Sequence, residues 1–250
     1  MADLDIADRR AAGLAVALAG ITGFTTVVGW LALAGVFFGP QSGNVIVASA
    51  NVVDARWERV AAHGIPVVVF FVALVVGYLA SERAGRRWAG WLVEVGVLGA
   101  EAALLATAGV VAVVFDDDDV GLAPHSLAGL VTSGLAIAAI GLQSSAVRPV
   151  LGERVNTIAT TGLLIGTARD LAARIEHGAG APEAVHAGLR ARSAMLASYV
   201  GMGVVGGVAE QALGFGALFA AAAVVAALAL AWWVRRPGGA DDHRRVPRLG

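Results

Sequence analysis

Long apolar runs dominate the pattern of this chain. The first of them, from Ala11 to Phe38, contains no charged side chain, and roughly 20 consecutive apolar residues in a helix cross a hydrocarbon core about 30 Å thick. The pattern therefore predicts membrane-spanning helices. We place six of them, at residues 12–38, 64–80, 89–115, 126–147, 193–209 and 213–234.

Two shorter apolar elements, 42–53 and 155–168, each follow the first span of one half of the chain. They hold only about 12–14 residues, which is short for a crossing and fits a half-helix, a re-entrant segment or a helix at the membrane surface. Models with six, seven and eight crossings are therefore all compatible with the apolar pattern.

Arginine placement favours six crossings. All 18 cationic residues are arginine, and cytoplasmic loops of membrane proteins collect positive charge. With six crossings, the inner segments hold 16 of the 18 arginines, and these segments are 1–11, 81–88, 148–192 and 235–250. We therefore expect a cell-membrane protein whose N-terminus (1–11) and disordered tail (235–250) both lie in the cytoplasm. In the loop at 169–192 we expect a helix extension, a turn and a second helix.

The two halves of the chain share a layout. Gln41-Ser42-Gly43-Asn44 follows the first apolar run, and Thr160-Thr161-Gly162 follows the fourth, 119 residues later. Three crossings in each half would bring the second copy into the membrane from the opposite side, which makes the repeat inverted. We therefore expect an all-α polytopic membrane protein with about six full transmembrane helices and two partial ones. Repeat one covers 12–115 and repeat two covers 126–234.

Composition supports a membrane location and excludes several classes of function. Hydrophobic residues make up 58% of the chain and charged residues 15%, against roughly 45–50% and about 25% in soluble domains. A net charge of −1 gives no basic surface for nucleic acid. The absence of cysteine excludes disulfides and thiolate chemistry. The five histidines fall in predicted loops without metal-ligand spacing, and no catalytic set emerges, so we expect no enzyme, no metal and no cofactor.

Polar side chains follow the helix break at Gly39-Pro40. They belong to Gln41, Ser42, Gly43 and Asn44. Unsatisfied backbone groups cost several kcal/mol each in hydrocarbon, so such a break must face protein or water. Ser42 or Asn44 can cap the following helix and leave N–H groups directed at a cavity. An ordinary loop at the headgroup level explains the same residues.

The second half supplies uncharged polar groups of the same kind. They are Gln143, Ser144, Thr160, Thr161 and Gly162. Such donors and acceptors suit the binding of a neutral or zwitterionic solute. The structural alternative is that these groups only hydrogen-bond neighbouring helices, at about 0.6 kcal/mol each.

Two carboxylates lie on one face of the span at 89–115. Glu101 is near its middle, and Glu94 is nearer the surface and within reach of Arg87. An ionised carboxylate at a helix centre costs roughly 2.5–3.5 kcal/mol on insertion scales, so Glu101 should be protonated, paired or in a wet cavity. Glu101 is therefore a candidate proton-coupling residue. The alternative is a neutral carboxyl that hydrogen-bonds a neighbouring helix.

The order of three motifs resembles the YoaK-like family of bacterial inner-membrane proteins, whose function is unknown. The motifs are Gly23-Phe24 with the later Ser42-Gly43-Asn44, then Gly141-Leu142-Gln143, then Thr157 to Gly162. The chain departs from the family at Thr25-Thr26, where an acidic residue is frequent, at Ser144 in place of Asn, and at Pro40-Gln41-Ser42 in place of His-Met-Thr. Each departure removes a group that can bind or couple an ion. The resemblance implies fold and location more than mechanism.

These observations favour a small-solute permease over its rivals. Its site would lie between Gln41–Asn44 and Gln143 with Thr160–Gly162, and Glu101 would carry a proton. The alternative is a non-transporting membrane scaffold or partner subunit, in which small-residue faces serve helix association. The expected partners are the lipid bilayer and a small polar solute. The sequence does not decide whether the chain forms a homo-oligomer, and no nucleic-acid partner is expected.

Overall fold

The structure is a computed structural model that describes residues 2–116, 122–151, 160–178 and 182–234, and at 2–10, 146–151 and 160 it describes the backbone alone. Within these residues it is all-helical. The predicted disordered tail at 235–250 lies outside the described residues. The helices are α1 (Ala2–Ala32), α2 (Gln41–Val53), α3 (Trp57–Gly85), α4 (Gly90–Phe115), α5 (Leu127–Leu151), α6 (Thr160–His177), α7 (Glu183–Leu213) and α8 (Ala217–Val234), with a 3₁₀ turn at Gly214–Gly216 between the last two.

The first helix ends six residues earlier than the predicted end at 38. The chain turns at Ala34 and Gly35, which have φ angles of 46° and 94°, in the left-handed region that ends helices. The segment that follows is not helical, yet Val36 and Phe38 are fully buried. An apolar run therefore continues past the helix end, because the turn itself packs inside the protein. The apolar pattern alone could not detect this.

The third helix is longer than the predicted run at 64–80. It begins at Trp57 and continues through Pro66, which lies inside the helix. His63, predicted to lie in a loop, is therefore in α3, and that prediction is wrong. The first turns of α3 carry polar side chains, so the apolar pattern does not detect this part of the helix.

The helices between 160 and 213 match the expectation for the 169–192 loop. α6 extends to His177, and α7 begins at Glu183 after a short break. The predicted helix extension and second helix are confirmed, and residues 179–181 of the predicted turn lie outside the described residues.

Five stretches of the described residues are long and apolar enough to cross a membrane by length and composition. They are Ala11–Ala32, Trp57–Gly85, Gly90–Phe115, Leu127–Ser145 and Glu183–Val234. The last stretch has 52 residues, which would extend about 78 Å as one helix and so exceeds a bilayer of about 40–45 Å. It contains α7 and α8, which meet at the 3₁₀ turn.

Large apolar side chains cover the outer faces of these helices. On α3, Val68, Phe71 and Val76 are 62%, 65% and 53% exposed. On α7, Val204 and Val208 are 66% and 64% exposed. Such a surface is expected to contact lipid, because a soluble protein rarely exposes so much contiguous apolar area. The chain is a polytopic membrane protein.

The helices pack in definite pairs. α1 lies against α7, α3 against α5, and α4 against both α5 and α8. The short helices α2 and α6 pack on α3 and α7 respectively. The larger hydrophobic core includes Leu18 on α1, Leu105 on α4, Ile137 on α5 and Leu218 on α8.

Close contacts give the relative directions of the helices. Gly20 approaches Ser198, and Gly207 approaches Leu31, so residue numbers rise together along α1 and α7 and the two helices are parallel. Glu94 contacts Trp232, and Gly109 approaches Phe219. Numbers therefore rise along α4 while they fall along α8, and these two helices are antiparallel.

Candidate functional site

The turn between α1 and α2 is held by two amide side chains. Asn44 Nδ2 donates to the Phe37 carbonyl at 2.7 Å and to Gln41 Oε1 at 2.9 Å, and the Phe37 N–H donates to Asn44 Oδ1 at 3.0 Å. Gln41 Nε2 donates to the Phe38 carbonyl at 3.1 Å. Asn44 is fully buried. These bonds satisfy backbone groups that the helix break leaves free, as a break inside a membrane protein requires.

The other two residues of this motif have different surroundings. Pro40 occupies the N-cap of α2, and no side chain caps the helix there. The predicted capping role of Ser42 or Asn44 is therefore wrong, because Asn44 is directed back at Phe37 instead. Ser42 is exposed. Gly43 lies against the Phe37 ring, where an added Cβ would come within 2.6 Å of two ring carbons.

His63 joins this turn from α3. Its Nδ1 lies 3.3 Å from Asn44 Oδ1, and its ring is only 3% exposed. Because Oδ1 is an acceptor, the geometry requires the hydrogen on Nδ1 of His63. The bond links α2 to α3 inside the protein.

Three threonines form one buried face of α1, which we call the threonine face: Thr22, Thr25 and Thr26. Thr26 Oγ1 accepts the Gly39 N–H at 3.1 Å. Thr22 and Thr25 donate to carbonyls of their own helix, four residues earlier. These three residues were not among the predicted site residues. Their three- and four-residue spacing within an apolar span is the signal that could have revealed them.

Gln143 reaches the threonine face from α5. Its Nε2 donates to the Leu18 carbonyl at 3.1 Å and to Thr22 Oγ1 at 3.4 Å. Gly39 lies against Thr22 and Thr26, where an added Cβ would be 2.7 Å from each side chain. Gln143 and the turn at Phe37–Asn44 therefore meet the same face of α1. The two motifs were predicted to lie close together, and in the structure they are connected through Thr22, which each of them contacts.

The remaining predicted residues lie elsewhere. Ser144 donates to the Ile140 carbonyl of its own helix at 2.7 Å. Thr161 and Gly162 are exposed near the start of α6, which packs on α7. The Thr160 side chain lies outside the described residues. The structure does not bring Thr161 or Gly162 to Gln143, and a role for them in binding stays a prediction.

Glu101 is buried in the middle of α4. Its side chain is 0% exposed, and neither carboxyl oxygen has a hydrogen-bond partner among the described residues. It is 11 residues from Gly90, which is about 16 Å along the helix. Glu94 does not meet Arg87 as expected, because it accepts the Trp232 Nε1–H at 2.6 Å instead. The contacts of Glu94 and Gly109 with α8 place Glu101 opposite the region of Val225.

Five further side-chain polar atoms in the described part of the chain are buried without a hydrogen-bond partner there, among them Tyr78 OH and Ser81 Oγ on α3 and Thr167 Oγ1 on α6. The other two, Gln143 Oε1 and Thr132 Oγ1, are both on α5. An unpaired buried polar atom costs about 1–3 kcal/mol. In the described residues no group of three or more acidic, histidine or cysteine side chains is placed to hold a metal ion.

Comparison with known proteins identifies a family and nothing finer. A family model described as a protein of unknown function (DUF1275) matches residues 14–231. No curated protein and no solved structure matches the chain. This result is consistent with the resemblance to YoaK-like proteins, whose name stays a prediction.

Proposed function

The chain belongs to the DUF1275 family, and because that family has no known function, we propose one from its residues: a proton-coupled permease for a small neutral or zwitterionic solute, built as an inverted repeat. The observation that carries the proposal is a correspondence of helix contacts between the two halves. In it, α1 to α4 correspond to α5 to α8 in order.

Helix pairs support the repeat first. Under this correspondence, the contact of α1 with α7 becomes the contact of α5 with α3, and both pairs are extensive. The contact of α2 with α3 becomes that of α6 with α7, which is also present. The pair α4 and α8 maps onto itself. One pair is unequal, because α4 packs far more closely on α5 than α8 does on α1.

Individual contacts support the repeat more sharply. Gly23 faces the Tyr199 carbonyl, and Gly141, 118 residues after Gly23, approaches the Phe70 carbonyl. Phe70 is 129 residues before Tyr199. Residues of α1 are thus related to those of α5 by a difference of 118 in residue number, and residues of α3 to those of α7 by a difference of 129.

The same two offsets relate a second pair of contacts. Gly206 lies against the Phe24 backbone, while Gly77 lies against the side chains of Leu142 and Ser145. Phe24 and Leu142 are 118 residues apart, and Gly77 and Gly206 are 129 apart. A shift of one residue rotates a side chain by about 100° around the helix. Agreement at single-residue register is therefore a demanding match.

Helix directions support six crossings and an inverted relation. The parallel packing of α1 and α7 disfavours seven crossings, because one extra crossing by α2 or α6 would reverse α7 relative to α1. The antiparallel packing of α4 and α8 disfavours eight crossings, because four crossings per half would make these equivalent helices parallel. With 13 residues, α2 extends about 20 Å, which is too short for a hydrocarbon core of about 30 Å.

We place the solute site where the two repeats meet, at the threonine face and Gln143. Inverted-repeat transporters bind substrate at such seams near the bilayer midplane. Gln143 keeps an unpaired oxygen there, and Glu101 supplies an unpaired carboxyl in the middle of α4. Polar groups without partners are costly in a low-dielectric interior. A bound solute and a transferable proton would provide the missing partners.

Ligand-dependent thermal stabilisation of the purified protein tests this proposal. The panel holds ions, amino acids, sugars and drugs, and the variants are Gln143→Ala and Glu101→Gln. The matched control is Thr107→Ala, because Thr107 lies on α4 but is exposed and bonds only its own helix. We expect one solute class to raise Tm in the native protein and the control, with the shift lost in Gln143→Ala. A shift of equal size in all variants would contradict the site.

One observation favours a second function, that of a membrane scaffold or partner subunit. The amide groups of Gln41 and Asn44 hydrogen-bond the turn at Phe37–Gly39, so the fold accounts for these two residues without a bound solute. A scaffold predicts no stabilisation by any small molecule and copurification of one defined protein at a fixed ratio.

A further inference from the structure

A buried ion pair joins α6 to α7. Arg192 NH1 donates to Asp170 Oδ2, and their side chains are only 11% and 8% exposed. The short helix α6 has no other extensive helix partner among the described residues. This pair is therefore the main polar link that holds α6 in place.

Two glycines make room for the pair. A Cβ at Gly166 would come within 2.7 Å of Arg192 Nε, and a Cβ at Gly188 within 2.7 Å of Asp170 Oδ2. Side chains at these positions would separate the two charges. The glycines thus let α6 and α7 approach closely enough to enclose the pair.

Arg192 has a counterpart in the first repeat. The 129-residue offset that relates α3 to α7 places Arg192 at His63. His63 is the residue that bonds Asn44 of α2, the first short helix. The same offset relates Met195 to Pro66, and both are buried. Each short helix is therefore bonded to its neighbour from the same position of that neighbour.

We propose that the Asn44–His63 and Asp170–Arg192 contacts, which share equivalent positions on α3 and α7, are two latches that release opposite faces of the permease in turn. This inference rests on the proposed inverted repeat, which puts α2 on the outer side and α6 on the inner side. One latch joins a neutral amide to an imidazole, and the other joins two charges. A charge-assisted bond is about twice as strong as a neutral one. Both latches are formed in the structure, and the outer latch, which has the weaker bond, releases first.

Spin-label distances test the latches, and the absence of cysteine allows labels to be placed without a background. One pair of labels, Ser49→Cys with Glu58→Cys, reports on α2 and α3. The other pair, Glu176→Cys with Ala187→Cys, reports on α6 and α7. All four positions are exposed. The full-length protein is studied in lipid nanodiscs with and without Asp170→Asn.

In Asp170→Asn we expect the α6–α7 distance to lengthen by about 5 Å, the scale of a one-turn movement between packed helices. The α2–α3 distance distribution should narrow at the same time, because one face closes as the other opens. Exchanging the charges (Asp170→Arg with Arg192→Asp) should restore the native distances. Arg190→Gln, which removes only an exposed pair with Glu183, should change neither distance.

Two results would overturn the inference. One is an unchanged α6–α7 distance in a folded Asp170→Asn protein, which would make the pair a passive contact. The other is a lengthened α6–α7 distance with no response at α2–α3, which would leave the repeat intact but remove the coupling. Failure of the solute panel would instead count against the proposed function, because these distances need no ligand.

Discussion

Two buried polar regions of this protein, around Asn44 and around Glu101, differ in whether their side chains are hydrogen-bonded. Around Asn44, every side-chain amide group meets a partner from the turn or from Gln41. At Glu101, neither carboxyl oxygen meets any partner in the described residues. Both side chains are fully buried. A buried polar group with all its bonds made is explained by the fold, whereas one without bonds costs stability and points to a role outside folding.

The largest expected effect comes from Asn44→Leu, which keeps the volume and removes the bonds. It leaves the N–H and carbonyl of Phe37 unpaired in the interior, at about 1–3 kcal/mol for each group. We expect a loss of about 3 kcal/mol in the free energy of unfolding, measured by equilibrium unfolding in mixed micelles. Ser42→Ala, at an exposed neighbouring position, should lose under about 0.5 kcal/mol. An equal loss of unfolding free energy in Asn44→Leu and Ser42→Ala would contradict the structural role assigned to the Asn44 hydrogen bonds.

A smaller loss is expected when α1 is pushed away from α7, since α1 also bonds the turn that holds Asn44, through Thr26 and Gly39. Gly206→Ala places a methyl group against the Phe24 backbone, and such overpacking costs about 1–3 kcal/mol. The same helix offers Gly201→Ala as control, because nothing lies within 4 Å of an added Cβ there. The equivalent change Gly77→Ala, which meets only side chains, should cost less. The free energies of unfolding of the native protein and the three variants are compared in one detergent. An unchanged value for Gly206→Ala would argue against the contact between α1 and α7.

Glu101→Leu should have the opposite sign to Asn44→Leu. Replacing an unpartnered buried polar group by an apolar one of similar shape is neutral or stabilising. We expect a gain of up to about 1 kcal/mol, which is a rise in Tm of roughly 2–4 °C, together with loss of solute-dependent activity. A destabilisation as large as that of Asn44→Leu would show that Glu101 has an essential structural partner.

The smallest effect is expected from Gln143→Leu, because Gln143 stands between the two extremes. It loses bonds to Leu18 and Thr22 but also removes the unpaired Oε1, and bonds between membrane helices average about 0.6 kcal/mol. The two terms nearly cancel, so stability should change by under about 1 kcal/mol. A ligand-induced rise in Tm should nevertheless disappear. Retention of that rise would exclude Gln143 from the site.

Much of the fold follows from the apolar pattern, and the exceptions have physical reasons. The predicted elements 42–53 and 89–115 match α2 and α4 within one residue, because breaks rich in glycine and proline, or charged residues, flank them. The end of α1 was missed because the turn after it is itself apolar and buried. The position of His63 was missed because the first turns of α3 are polar.

The candidate site was harder to predict than the fold. Asn44 and Gln143 could be chosen as polar residues beside or inside apolar runs, but their partners are set by packing between distant parts of the chain. The Gln143 bond to Leu18 joins residues on α5 and α1, and no local pattern encodes that contact. The state of Glu101, buried and without a partner, likewise depends on what α5 and α8 place around it.

Proton-coupled flux through Glu101 is the central claim, and electrical recording on solid-supported membranes tests it most directly. Native protein, Glu101→Gln and the control Thr107→Ala are reconstituted in liposomes and exposed to the solute panel under an imposed pH gradient. The account predicts a solute-dependent current in the native protein and the control that is absent in a folded Glu101→Gln. A current of the same size in Glu101→Gln, or no current from native protein with any solute, would contradict it.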